Sequence, residues 1–163
     1  AIILKDYQLS REEIISIRRR MPNNDDSQLT YAVLLVVFKN LNYFPELSTI
    51  PKEIIDFVKE QLQLSSAKFS AVNPSAISRY RKHIYRYLGV QSWNSTKKEN
   101  GKIIYPVQTF AKSVVTQASY THNYPADIIN TVVEGLKKRS FELPRFKQLD
   151  RLVRHIRSKV NDK

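Results

Sequence analysis

Pro51-Lys52-Glu53-Ile54-Ile55-Asp56-Phe57-Val58-Lys59-Glu60-Gln61-Leu62 is written twice in this chain. It returns 74 residues later as Pro125-Ala126-Asp127-Ile128-Ile129-Asn130-Thr131-Val132-Val133-Glu134-Gly135-Leu136, with six of the twelve positions identical. Two more positions exchange Glu for Asp or Asp for Asn. In each copy a proline opens the segment, where its missing N–H costs a helix nothing, and the apolar identities fall on one helical face. Downstream, Ile77-Ser78-Arg79-Tyr80-Arg81-Lys82-His83-Ile84 is answered 72 residues on by Leu149-Asp150-Arg151-Leu152-Val153-Arg154-His155-Ile156. Upstream, Thr30-Tyr31-Ala32 has a fainter echo in Thr109-Phe110-Ala111. Three echoes in one order at nearly constant offset describe a duplicated helical module.

Working outward, each copy reads as three helices. The first runs from Ser27 to about Leu41 and is apolar almost all round, so it is expected to be the central helix of its module. The second is the repeated segment at Pro51. The third begins at Pro74 and ends at Leu88, with Gly89 as its left-handed stop. The matching helices of the second copy start near Pro106, at Pro125 and near Phe146. Ahead of the first copy, Ser10-Arg11-Glu12-Glu13 forms a capping box for a helix through Ile14, Ile15 and Ile17 to Arg18-Arg19-Arg20. Pro22 to Asp26 reads as a turn with Asp25 or Asp26 as the next N-cap. The fold class is therefore all-α: two tandem three-helix, helix-turn-helix-like modules preceded by a short N-terminal helix. Residues 1–90 and 106–163 are the expected modules. Residues 91–105, which show no periodicity, are expected to be a basic linker carrying Lys97, Lys98 and Lys102.

The third helix of each copy carries the chemistry. On the first, Ile77, Tyr80, Ile84 and Leu88 form the inward stripe, while Ser75, Arg79, Lys82, His83 and Arg86 form an outward one. On the second, Leu149, Leu152, Val153, Ile156 and Val160 face in, while Lys147, Arg151, Arg154, His155 and Ser158 face out. In a helix-turn-helix pair the second helix enters the major groove and the first braces on the backbone. The connection from Leu62 to Pro74 is longer than the usual three or four residues. A basic stripe on one helix is commonly just a solvated face; two equivalent ones in a repeat favour contact with DNA.

Composition points the same way. The 163 residues carry a formal net charge of +12, with 42% hydrophobic residues. Residues 1–90 hold 13 basic and 9 acidic groups, and residues 91–163 hold 14 and 6. Such an excess favours a polyanion. A membrane surface is disfavoured because the apolar faces are needed for the core, and no apolar run approaches a membrane span. With no cysteine there is no disulfide scaffold, which fits a reducing cytoplasm.

Enzymatic constellations are poor. The three histidines, His83, His122 and His155, have no Cys, Asp or Glu at ligand spacing, and three glycines provide no phosphate-cradling loop. Asp25 and Asp26 are better placed to cap than to bind metal. No cofactor, metal or catalytic residue is expected. His83-Ile84-Tyr85-Arg86 has the H-x-x-R spacing of tyrosine recombinases, but the chain from Pro125 onward lacks a tyrosine.

The segments Leu9-Ser10, Glu12-Glu13, Ile15 and Ile17 to Arg20 resemble the opening of the N-terminal region of Tn-three family transposases, the enzymes of class II replicative transposons. The resemblance continues through Leu29-Thr30-Tyr31-Ala32-Val33-Leu34-Leu35, Phe44-Pro45, Ile50-Pro51 to Gln61-Leu62, and Arg79, His83 and Tyr87-Leu88-Gly89. It extends to Leu136, Arg139, Leu143-Pro144 and Leu149 to Arg157. It implies tandem helical domains that recognise the transposon's terminal inverted repeats. It also implies that the catalytic acidic triad and its divalent metal lie in a C-terminal region outside this fragment. That region would be a partner, alongside double-stranded DNA, in a bacterial, nucleoid-associated protein that could dimerise at full length. The expected DNA-binding residues are Arg79, Lys82, His83, Arg86, Lys97, Lys98, Lys147, Arg151, Arg154 and His155. The alternative is a helical regulatory module that binds RNA or a protein partner through the same faces.

Overall fold

The computed structural model describes residues 2–161. Its order is α1 (Arg11–Arg20), α2 (Asp25–Leu41), α3 (Lys52–Leu62), α4 (Pro74–Leu88), a hairpin of β1 (Lys97–Glu99) and β2 (Lys102–Ile104), α5 (Pro106–Thr121), α6 (Pro125–Lys138) and α7 (Phe146–Asn161). The class is all-α, and the hairpin is the only sheet among the described residues. The chain divides into two compact units, Ala1–Arg86 and Tyr87–Lys163, so the division falls in the last turn of α4.

In the first unit, α2 is buried continuously from Ser27 to Phe38, as an all-round apolar helix must be. Ile54, Val58 and Leu62 of α3 are buried, as are Ala76, Tyr80 and Ile84 of α4. Ile77 and Leu88, expected inside, are only half-buried, and Ala76 takes an inner place instead. Phe38, Phe44 and Tyr85 close the end of this core, with ring centroids 4.6 to 5.7 Å apart. The N-terminal lead-in is tied to α3: Leu9 N–H donates to Gln61 Oε1 at 2.7 Å, and Gln61 Nε2 donates to the Tyr7 carbonyl at 3.2 Å.

The capping box on α1 forms, with Ser10 N–H to Glu13 Oε1 at 2.8 Å and Glu13 N–H to Ser10 Oγ at 3.0 Å. Glu13 does more than cap. Its carboxylate is buried and accepts from Lys39 Nζ at 3.1 Å. Lys39→Ala is expected to cost about 1.5–3 kcal/mol, toward the lower end because Lys39 is partly exposed. Urea denaturation checks this. The N-cap of α2 is Asn24, whose Oδ1 accepts from Ser27 N–H at 3.2 Å, rather than Asp25 or Asp26. Asp26 instead accepts from Lys68 N–H at 2.7 Å, holding the α3–α4 connection against α2.

The second unit packs α5, α6 and α7 against one another around Val107, Val115, Ile128, Val132, Leu136 and Val153. The repeat is legible in this packing: Ile54, Val58 and Leu62 are each at most 3% exposed, and Ile128, Val132 and Leu136 are all 0%. Ala32 and Ala111, from the fainter echo, are both 0% exposed as well.

Of residues 91–105, expected as a linker, 97–104 form the mostly exposed hairpin, and Gln91, Trp93 and Asn94 are tied into the second unit. Trp93 is buried in its core, and Trp93 N–H donates to Glu142 Oε1 at 2.9 Å. Gln91 pairs with the 140–142 segment, through Gln91 N–H to the Ser140 carbonyl at 3.0 Å and Glu142 N–H to the Gln91 carbonyl at 2.9 Å. The hairpin sets Lys97 opposite Ile104, Lys98 opposite Ile103 and Glu99 opposite Lys102. Its turn, Asn100-Gly101, has φ of 53° and 79°, the mirror-image turn that matches strand twist and that this dipeptide favours.

Candidate nucleic-acid interface

On α4, Arg79, Lys82 and Arg86 are exposed, but His83 is only half-exposed. Its Nδ1 lies 2.6 Å from the hydroxyl of buried Tyr31 on α2. With the ring neutral and its proton on Nε2 the hydroxyl donates to Nδ1; with a proton on Nδ1, in the other tautomer or the charged ring, Nδ1–H donates to the hydroxyl oxygen. The Arg20 guanidinium at the end of α1 sits 5.7 Å from the Tyr31 ring centroid. Burial, then the positive charges of Arg20 and Arg86, hold the His83 pKa below its ordinary value.

Two outcomes follow from that depression. The folded chain binds fewer protons at His83 than the unfolded chain does, so this group's contribution to stability falls as pH drops below about 6.5. A phosphate docked beside Arg20 and Arg86 would offset their field and draw a proton onto the ring. If a duplex docks on this face, its affinity is expected to rise as pH falls from about 8 to about 6, and His83→Gln to remove the share of that rise due to His83. Fluorescence anisotropy at a series of pH values measures it.

On α7, Lys147, Arg151, Arg154 and His155 are all exposed. Arg154 is partly committed, with Nε 3.1 Å from Asp150 Oδ2 one turn earlier. In the hairpin Lys97 and Lys98 are exposed, and Lys97 lies 3.8 Å from Glu99 with both in solvent, a pair worth little.

The two repeat-related histidines differ, and the repeat shows why. The counterpart of Tyr31 is Phe110, which has no hydroxyl with which to hold an imidazole. Phe110 packs instead on Phe141 at 5.5 Å and under the Arg139 guanidinium at 4.4 Å. His155 is left exposed.

Each unit also carries a cleft against its third helix, at equivalent positions. In the first, a cleft of about 520 Å³ is lined by Ala76, Arg79 and Tyr80 of α4 together with Arg20, Asn24 and Asn73. In the second, a cleft of about 390 Å³ is lined by Gln148, Arg151, Leu152 and His155 of α7 together with Trp93, Gln108 and Lys112. Ala76, Arg79 and Tyr80 correspond at the repeat offset to Gln148, Arg151 and Leu152.

Arg20, Trp93 and Lys112 were not singled out in the sequence as site residues. Each lies on an element other than the third helix and reaches the cleft only through tertiary packing. Two other cations are engaged within the first unit. Arg18 donates to the Leu62 carbonyl at 3.2 Å, capping the end of α3, and Arg81 stacks 5.4 Å from the Phe44 ring centroid. Among the described residues no three His, Asp or Glu side chains converge as a metal site, and no helix is long and apolar enough to cross a membrane.

Fold and surface together define an all-α protein of two repeat-related units, each with an exposed cationic third helix. Residues 2–156 match the domain of unknown function DUF4158, and the chain belongs to that family. A comparison with curated proteins found no match.

Proposed function

We propose that this chain is the DNA-binding N-terminal part of a transposase, docking the enzyme on the terminal inverted repeats of its transposon. The observation that carries this is the duplicated cationic face: Arg79, Lys82 and Arg86 on α4, and Lys147, Arg151 and Arg154 on α7, all exposed in a chain of net charge +12. A lone basic helix has little weight, whereas a repeat that keeps its core and its outer cations in both copies favours one polyanionic ligand. DUF4158 is a domain found in Tn-three family transposases, which supports the same reading. Cutting and joining of strands fall to an acidic, metal-dependent catalytic region outside these residues, and the present chain contributes positioning.

The test is a mobility shift with a duplex bearing the transposon terminal repeat, a scrambled duplex and a single strand, each at two salt concentrations. With about six phosphate contacts, log affinity is expected to fall by about 5 per decade of salt, and the terminal-repeat duplex to be preferred. A preference for single-stranded RNA, or no salt dependence, would favour a regulatory module instead.

A further inference from the structure

We propose that the cleft of the second unit holds one nucleotide lifted out of the base stack, its base against Trp93 and Leu152 and its phosphate on Arg151 and Lys112. The proposal rests on the DNA-binding role above and adds a ligand class for a site that role leaves unused.

The lining is chemically mixed in a way that a phosphate alone would not need. It combines an indole and a leucine with two primary amides, Gln108 and Gln148, and the cations Lys112 and Arg151. Cations suffice for a phosphate. An apolar wall beside amide groups is what a heteroaromatic base requires, its face packing on the first and its edge hydrogen-bonding to the second. The volume of about 390 Å³ falls within the range typical of small-ligand sites.

The cleft is also built rather than incidental. Trp93 is 6% exposed and anchored at both ends of its backbone: its N–H donates to Glu142 Oε1 at 2.9 Å, and its carbonyl accepts from Gln108 Nε2 at 3.1 Å. Gln108 Nε2 lies 3.3 Å from Asn94 Oδ1 as well, so its amide nitrogen is committed and its oxygen stays available as an acceptor. The indole Nε1–H of Trp93 is buried without an acceptor. A buried donor left in that state is costly, and a ring nitrogen or carbonyl of a base placed beside Trp93 would relieve it. The equivalent cleft of the first unit also has an aromatic, Tyr80, with Asn24, Asn73, Arg20 and Arg79, but among the described residues no buried donor without an acceptor lines it, and that donor is what distinguishes the second.

The chain has a single tryptophan, so its emission reports on this cleft alone. The experiment compares a fully paired duplex with the same duplex carrying one adenine opposite an abasic site, where extrusion costs least. Affinity is read from the anisotropy of a labelled strand, and Trp93 emission is followed in parallel. The extrahelical adenine is expected to bind about fivefold tighter or more, the gain of roughly one hydrogen bond to a buried donor, and to quench Trp93. Trp93→Phe keeps an aromatic ring, though a smaller one, but not the N–H, and Gln148→Ala alters only an exposed side chain. Each should remove the preference while circular dichroism stays unchanged. Equal affinity for the two duplexes, an unchanged Trp93 emission at saturation, or a preference retained in both variants would overturn the nucleotide site while leaving duplex binding intact. Absence of binding to either duplex would overturn the DNA-binding role itself.

Discussion

Reversing Arg79 and Arg151 together, as R79E with R151E, is expected to lower duplex affinity by about two orders of magnitude at roughly 0.1 M salt. Each phosphate contact contributes about 0.9 to the logarithm of affinity per decade of salt, so each lost cation costs nearly tenfold one decade below molar salt. The introduced carboxylates add repulsion. The salt dependence should become shallower by about 1.8, a signature that general weakening of the fold would not produce. Both side chains are exposed, so the variant should stay within about 0.5 kcal/mol of wild-type stability. Each single reversal should cost about tenfold. Anisotropy titrations across a salt series measure both affinity and slope, and circular dichroism verifies helicity.

The largest effect on stability is expected at the repeated leucines. Leu62 is 1% exposed and Leu136 is 0%, each near the inner end of the twice-written helix. Truncation to alanine removes apolar burial and leaves a cavity in a close-packed core, so Leu62→Ala and Leu136→Ala should each destabilise their own unit by about 2–5 kcal/mol. Glu60→Ala and Glu134→Ala provide the control. These glutamates are also identical between the copies, yet both are exposed, and their loss should stay within about 0.5 kcal/mol. Urea denaturation of the four variants separates identity kept for packing from identity that packing does not explain.

Much of this architecture was legible in the residues. Ser10 with Glu13, the prolines at 51, 74, 106 and 125, and Gly89 mark helix ends by local chemistry, and local chemistry is what a sequence displays directly. Gly89 does adopt the left-handed conformation, at φ of 65°. The outward placement of Arg79, Lys82, Arg86, Lys147, Arg151 and Arg154 follows from helical periodicity once the inner stripe is identified. The hairpin was not legible as a pair of strands, because three residues are too few to show alternation. Its one clear signal was the Asn100-Gly101 dipeptide. Asn24 outcompeted Asp25 and Asp26 as a cap by position, since the helix starts at Asp25 itself.

What the sequence could not display are meetings across long separations. His83 was assigned to the outer face because it lies on the outward stripe, yet Tyr31, 52 residues earlier, captures it. The change from Tyr31 to Phe110 between the copies is visible in the repeat. Its consequence for the paired histidines becomes visible only when the first and third helices of a unit are seen side by side. The same holds for the clefts, where Arg20, Trp93 and Lys112 arrive from outside the third helices.

The most direct measurement is a backbone-amide NMR titration of the chain with the terminal-repeat duplex. Shifts clustered at 79, 82, 83 and 86 on α4 and at 147, 151, 154 and 155 on α7, with Glu53, Glu60 and Glu134 on the bracing helices unmoved, are the expected result. Shifts confined to α3 and α6, or to one copy of the repeat with the other silent, would contradict a duplicated DNA-facing helix.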